Sequence, residues 1–102
     1  MGRPSERSLL TNLPRYRPTD KPTEVYFIEV VGRDLVKIGI TQNVRTRLKT
    51  LDSSNPDELR LLRSIPGDAF TEETLLLKFD DLWVKGEWFR LTPELRSFID
   101  SL

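Results

Sequence analysis

Two short runs of β-branched and aromatic residues, Glu24 to Val31 (EVYFIEVV) and Leu35 to Ile40 (LVKIGI), flank a Gly32-Arg33 turn signal. Such runs favour a pleated backbone, and a glycine at the first place of a two-residue loop suits a hairpin turn. An antiparallel β-hairpin is therefore predicted, and it constrains everything around it. With the two-residue turn, Val30 faces Leu35, Ile28 faces Lys37 and Tyr26 faces Gly39. Side chains alternate along a strand, so Tyr26 and Lys37 then share one face, with Gly39 leaving open space beside the Tyr ring. A three-residue loop would instead pair Tyr26 with Ile40 and send Lys37 to the opposite face, because a one-residue slip inverts every side chain.

A helix to about Leu51 follows, capped by Thr41 or, as second candidate, Asn43. Val44, Leu48 and Leu51 recur at helical spacing and form its buried stripe. Arg47 lies beside that stripe and is expected to look inward, whereas Arg45 and Lys49 point further out. After the turn-rich Asp52 to Asp57, Leu59 to Ile65 reads as a third strand. Asp68 then suits the N-cap of a helix to about Trp83, with Leu75, Leu76, Phe79, Leu82 and Trp83 on one face. Glu72 extends that same face by one turn, so a carboxylate points along the core side. Acidic groups favour the first helical turn on electrostatic grounds alone, but that account fits Glu73 equally and does not explain why Glu72 faces inward. Lys85 to Phe89 (KGEWF) reads as a turn delivering two aromatics as a core lid. Thr92 and Pro93 open a last helix buried through Leu95, Phe98 and Ile99.

The 102 residues allow one domain. With no cysteine and no histidine, disulfides, zinc fingers and imidazole acid-base catalysis are excluded. Any metal must sit on oxygen ligands, which points to magnesium, manganese or calcium. No stretch approaches the ~18 apolar residues of a membrane helix, and charges stand where a signal peptide has its apolar segment. No membrane contact and a cytoplasmic location are expected, the bacterial host cell if the chain is phage-encoded.

The formal net charge is zero but unevenly spread. Residues 1–23 carry five basic and two acidic groups, and residues 66–102 carry four and eight. Residues 1–23, with Pro4, Pro14, Pro18 and Pro22, read as a flexible Pro/Arg-rich arm, and 24–102 as the single folded domain. The arm is either a solvated tail or a path for a phosphate backbone, with Arg15 and Arg17 among its cations.

In this order the motifs resemble the GIY-YIG nuclease superfamily, and within it the small branch of phage and meiotically up-regulated fungal proteins. The residues concerned are Val25-Tyr26-Phe27, Lys37-Ile38-Gly39, Asn43-Val44 with Arg47-Leu48, Glu72 with Leu75 up to Phe79, and Gly86-Glu87-Trp88-Phe89. The resemblance implies an α+β fold, a small three-stranded antiparallel sheet flanked by helices. It further implies endonucleolytic cleavage of DNA with one divalent metal, Mg2+ or Mn2+. Tyr26 would deprotonate or orient the attacking water, Arg47 would contact the scissile phosphate, and Glu72 would bind the metal. Lys37 stands where the family name has Tyr and would hold a phosphate. Arg45 and Lys49, with Arg15 and Arg17, would contact nucleic acid. Glu24 replaces the first glycine of the family name, and Leu76 stands where that branch often has His. A homodimer or protein partner is expected, because so small a domain offers little surface for specific recognition. The other reading is a module of this fold that binds nucleic acid or protein without cutting.

Overall fold

The computed structural model describes residues 22–102. The strand β1 (Glu24–Val30) is buried almost throughout, and its position explains why. It lies between β2 (Leu35–Thr41) and β3 (Leu59–Pro66), with helices covering both faces of the sheet. Val25 and Phe27 therefore meet one core, and Tyr26, Ile28 and Val30 another. A strand apolar on both sides needs both covered, since each fully buried large side chain contributes about 1.5–3 kcal/mol.

The β1–β2 register pairs Val30 with Leu35, Ile28 with Lys37 and Tyr26 with Gly39, so Tyr26 and Lys37 do share a face. The connection itself differs from the two-residue turn. Residues 31–34 form a four-residue loop in which Arg33 N–H donates to Val30 C=O at 3.1 Å. Gly32 and Asp34 both take positive φ there, 85° and 53°, which the glycine and a short polar side chain tolerate best.

Helix α1 (Val44–Ser53) is capped by Asn43, whose side chain accepts from Thr46 N–H at 3.1 Å. Thr41 instead accepts from Asn43 N–H at 3.2 Å, one step outside the helix. Val44, Leu48 and Leu51 pack on Tyr26, Ile28, Val30 and Leu59. On the opposite face, α2 (Ala69–Lys78) and α3 (Pro93–Asp100) bury Leu75, Leu76, Leu95 and Ile99 against Val25, Phe27, Val36, Ile38 and Phe89. Three layers result, helix on sheet on helices. Thr92 caps α3 through Leu95 N–H at 3.2 Å, as its sequence predicts.

The expectation of a three-stranded sheet is corrected. The sheet has five antiparallel strands in the order β3-β1-β2-β5-β4, the additional pair being β4 (Trp83–Lys85) and β5 (Trp88–Arg90). The α+β class stands. The correction arises where the helix was expected to run to Trp83: α2 ends at Lys78, and Asp80–Leu82 forms a single 3-10 turn. Consecutive aspartates oppose the negative end of a helix dipole, and Trp83 and Val84 are better strand than helix formers. Gly86, at φ 56°, lets the chain reverse, and Trp83 Nε1 donates to Gly86 C=O at 2.7 Å. The KGEWF stretch is thus a hairpin and not merely a lid. Phe89 is fully buried in the core of the α2 and α3 face, while Trp88 packs on the α1 face.

Just before β1, Thr23 is tied to the residue that precedes the cap of α2. Thr23 Oγ1 donates to Gly67 C=O at 2.5 Å, and Gly67 N–H donates back to Thr23 C=O at 3.2 Å. The arm with Arg15 and Arg17 lies outside the described residues.

Candidate functional site

The centre of the site is the Tyr26 hydroxyl. Its ring lies over Gly39, directly across the β1–β2 ladder, and a Cβ built at Gly39 would fall 2.5 Å from Tyr26 Cζ. The space expected to open beside the ring is therefore filled by the ring itself. Only a glycine admits this contact, and it holds the phenol down on the sheet with 1% of its surface exposed.

Three charged groups, carried on α1, on α2 and at the β4–β5 reversal, lie near enough to act on this hydroxyl electrostatically. Arg47, in the first turn of α1, acts on it as a nearby positive charge. Glu72, in the second layer of helices, and Glu87, at the β4–β5 reversal, act on it as negative charges. They meet here because β5 covers β2 only from Leu35 to Lys37, the last link being Ile38 N–H to Glu87 C=O at 3.1 Å. Burial pushes the Tyr26 phenol up to about 12; Arg47 pulls against this, while Glu87 and Glu72 add to it. The phenol is consequently neutral at physiological pH.

Lys37 joins the group through Glu87. Its Nζ lies 3.4 Å from Glu87 Oε1 and 5.4 Å from the centre of the Trp88 ring, its partner across the β2–β5 ladder. Glu72 is buried, with 4% exposed. Asp68 sets its place: the Asp68 carboxylate accepts from Thr71 N–H at 3.0 Å, and Thr71 Oγ1 accepts from Asp68 N–H at 3.4 Å, a closed capping box one residue before Glu72.

Of the residues expected at a site, the fold brings together Tyr26, Arg47, Glu72 and Lys37. Arg45 and Lys49 are exposed on α1, and no contact ties them to Tyr26. Arg47 is also largely exposed, so it spans solvent and the phenol and does not simply turn inward. Glu87 was missed. It stands within the quoted GEWF stretch, but its role depends on β5 pairing with β2, and a hairpin of two three-residue strands leaves little trace in periodicity.

Beside Arg47, an open hollow of about 600 Å³ runs along the start of α1, lined in part by Thr41, Asn43, Thr46 and Thr50. The first turn of α1 carries no acidic residue, so threonine hydroxyls and the Arg47 cation line the hollow with no carboxylate among them. That combination suits an oxyanion. Among the described residues no three His, Cys, Asp or Glu side chains form a ready-made metal cage. The donors near Tyr26 are carboxylate oxygens, which fit a hard ion such as magnesium held by one or two carboxylates and otherwise by water and substrate oxygens. They do not fit a calcium cage, which takes six to eight oxygens.

The fold defines an α+β domain with a five-stranded antiparallel sheet covered on both faces. The chain belongs to the T5orf172 domain family, a phage-associated domain, whose model matches residues 13–99. Neither the curated proteins nor the solved structures compared with the chain gave a match. No helix among the described residues is long and apolar enough to cross a membrane.

Proposed function

We propose that this domain is a metal-dependent endonuclease that hydrolyses or nicks DNA phosphodiesters. The observation that carries the reading is the buried Tyr26 packed on Gly39, with the buried Glu72, the Lys37–Glu87 pair and the Arg47-lined hollow contributed by other elements around it. The order of motifs that resembles the GIY-YIG nucleases supports the same reading, as does membership of a phage-associated family. A phage-encoded enzyme of this kind would act in the host-cell cytoplasm.

Each residue then has a task. Arg47, at the rim of the hydroxyl-lined hollow, holds the scissile phosphate and offsets the charge that grows on its oxygens in the transition state. Tyr26, held neutral, orients the attacking water by hydrogen bonding and does not serve as a ready-made phenolate base. Lys37 fixes Glu87 and places a second positive charge near the phosphate path. Glu72, with Glu87, would hold the Mg2+ or Mn2+ ion. When bound, that ion supplies Lewis-acid polarisation of the phosphate. Arg45 and Lys49, exposed on α1, contact the flanking backbone. The small size of the domain favours a homodimer or a partner protein to complete the recognition surface.

The second reading, a module that grips nucleic acid or a protein without cutting, is favoured by one feature: Tyr26 is held far from ionisation and Leu76 leaves no imidazole to carry a proton. Supercoiled plasmid incubated with the protein and magnesium or manganese separates the two. Wild type is expected to yield nicked circles, and Glu72→Ala to slow this by at least ~100-fold. If both leave the plasmid, and single-stranded circular DNA treated in the same way, equally intact, the enzyme reading fails and the binding reading replaces it.

A further inference from the structure

The sheet face that carries Tyr26 continues past Lys37 to a second hollow, of about 300 Å³. Val30, Leu35 and Trp88 line it on the apolar side, and Arg33, Val84 and Lys85 line it from the loop and the β4 edge. We infer that it seats one unpaired nucleobase of the strand whose phosphate lies at Tyr26 and Arg47. The substrate class is then single-stranded or locally unpaired DNA and not uninterrupted duplex. The inference rests on the nucleic-acid reading above and deepens it.

Register connects the two places. Tyr26, Ile28 and Val30 point to one face of β1, paired with Gly39, Lys37 and Leu35. Val30 is therefore four residues from Tyr26, roughly 13 Å along the strand, on the same side of the sheet. Trp88 bridges the interval, because its ring lines the hollow while Lys37 Nζ sits 5.4 Å from its centre. A half-buried indole with a cation beside it is what sequence-tolerant binders of single strands use: the ring stacks a base and the cation follows the backbone.

Size and charge select the occupant. A hollow of this volume has room for about ten waters by the share of liquid volume each takes, enough for one planar base. Base pairs inside a duplex are stacked on both faces and present neither to an indole. The lining has two cations, Arg33 and Lys85, and a single acid, Asp57, which is already engaged by Arg33 at 3.5 Å. An anionic backbone thus meets net positive charge at the mouth. Asn55 adds a reader, because its Oδ1 accepts from Asp57 N–H at 3.0 Å, which leaves the NH2 to donate to an acceptor on a base edge. Val84, 47% exposed at the rim, supplies apolar contact that solvent alone does not reward.

The test is fluorescence anisotropy with a labelled ten-nucleotide oligothymidine and a blunt duplex of equal length, both in EDTA so that no cutting intervenes. Wild type is expected to bind the single strand at least tenfold more tightly than the duplex. Trp88→Ala should weaken single-strand binding by ~5- to 100-fold, as loss of one stacked base does, and so remove most of the preference over the duplex. Val84→Glu, an exposed substitution that places a carboxylate at the mouth, should also abolish the preference, and it alone decides if Trp88→Ala does not fold. Equal binding of the two probes by wild type, or a full preference retained by either folded variant, overturns the inference. An oligothymidine left uncut when magnesium or manganese replaces EDTA, together with preferential single-strand binding, would overturn cleavage and leave the base pocket standing.

Discussion

Tyr26 and Gly39 act as one unit, because the ring occupies the volume a side chain at residue 39 would need. Gly39→Ala is expected to cost ~1–3 kcal/mol, as overpacking of a buried contact does, and to displace the hydroxyl. A thermal melt reads the first effect, and an unchanged midpoint would contradict the packing described. Tyr26 also carries a pH signature. Its folded pKa, about 12, is raised above the ordinary 10.0, so the fold favours the neutral phenol. That contribution is fully present below pH 10 and is lost as pH rises towards 12, up to ~3 kcal/mol. Urea melts between pH 9.5 and 12 should therefore show wild type losing stability more steeply than Tyr26→Phe. Parallel curves for the two proteins would mean that the hydroxyl is not buried in the way described. Sequence alone selected Tyr26, Lys37, Arg47 and Glu72, but it treated the first as having free space beside it. Nothing in residue order indicates that a tyrosine will lie down on the glycine opposite.

At the scale of elements, local chemistry was legible wherever a cap or a turn used neighbouring residues. Asp68, Thr92 and Pro93 mark helix starts that the fold adopts. The Asp68 capping box also aims Glu72, four residues on, so Asp68→Ala is expected to cost ~0.5–2 kcal/mol and to loosen the carboxylate at the site. Hydrogen bonds from Thr71, its backbone N–H first, hold the Asp68 carboxyl below its ordinary 3.8. This stability is present above that value and lost as pH falls through the lower folded value. The gap between wild type and Asp68→Ala in urea melts should accordingly close as pH drops from 5 towards 2. A gap that persists at pH 2 would show that the charge on Asp68 is not what caps α2. Element ends were harder to read. Leu75, Leu76, Phe79, Leu82 and Trp83 fit one helical stripe, yet the last three are partly buried from a C-cap, a 3-10 turn and a strand. Periodicity records which residues face a core and not whether the backbone between them stays helical.

Across the described residues as a whole, the sheet has a helix on one face and two on the other, and the candidate site sits where contributions from both layers meet at β2. Glu29 shows how the layers are tied: buried on β1, its carboxylate takes Arg96 of α3 at 2.9 Å and Arg60 of β3 at 3.3 Å. By itself, the order of residues determined the starts of α2 and α3, the exclusion of cysteine and histidine chemistry, and the inward aim of Glu72, and it narrowed the β1–β2 register and the cap of α1 to two choices each. All of these follow from alternation, capping or composition, which act over a few neighbours. Only the tertiary structure decided that the sheet has five strands, that Glu87 joins Tyr26, and that Trp88 connects the site to a second hollow. Those outcomes depend on β5 pairing with β2 some fifty residues away in sequence, as in the Lys37 to Glu87 contact. A pairing of that range is favoured by packing Phe89 and Trp88 against cores on opposite faces of the sheet, a condition that no local pattern encodes.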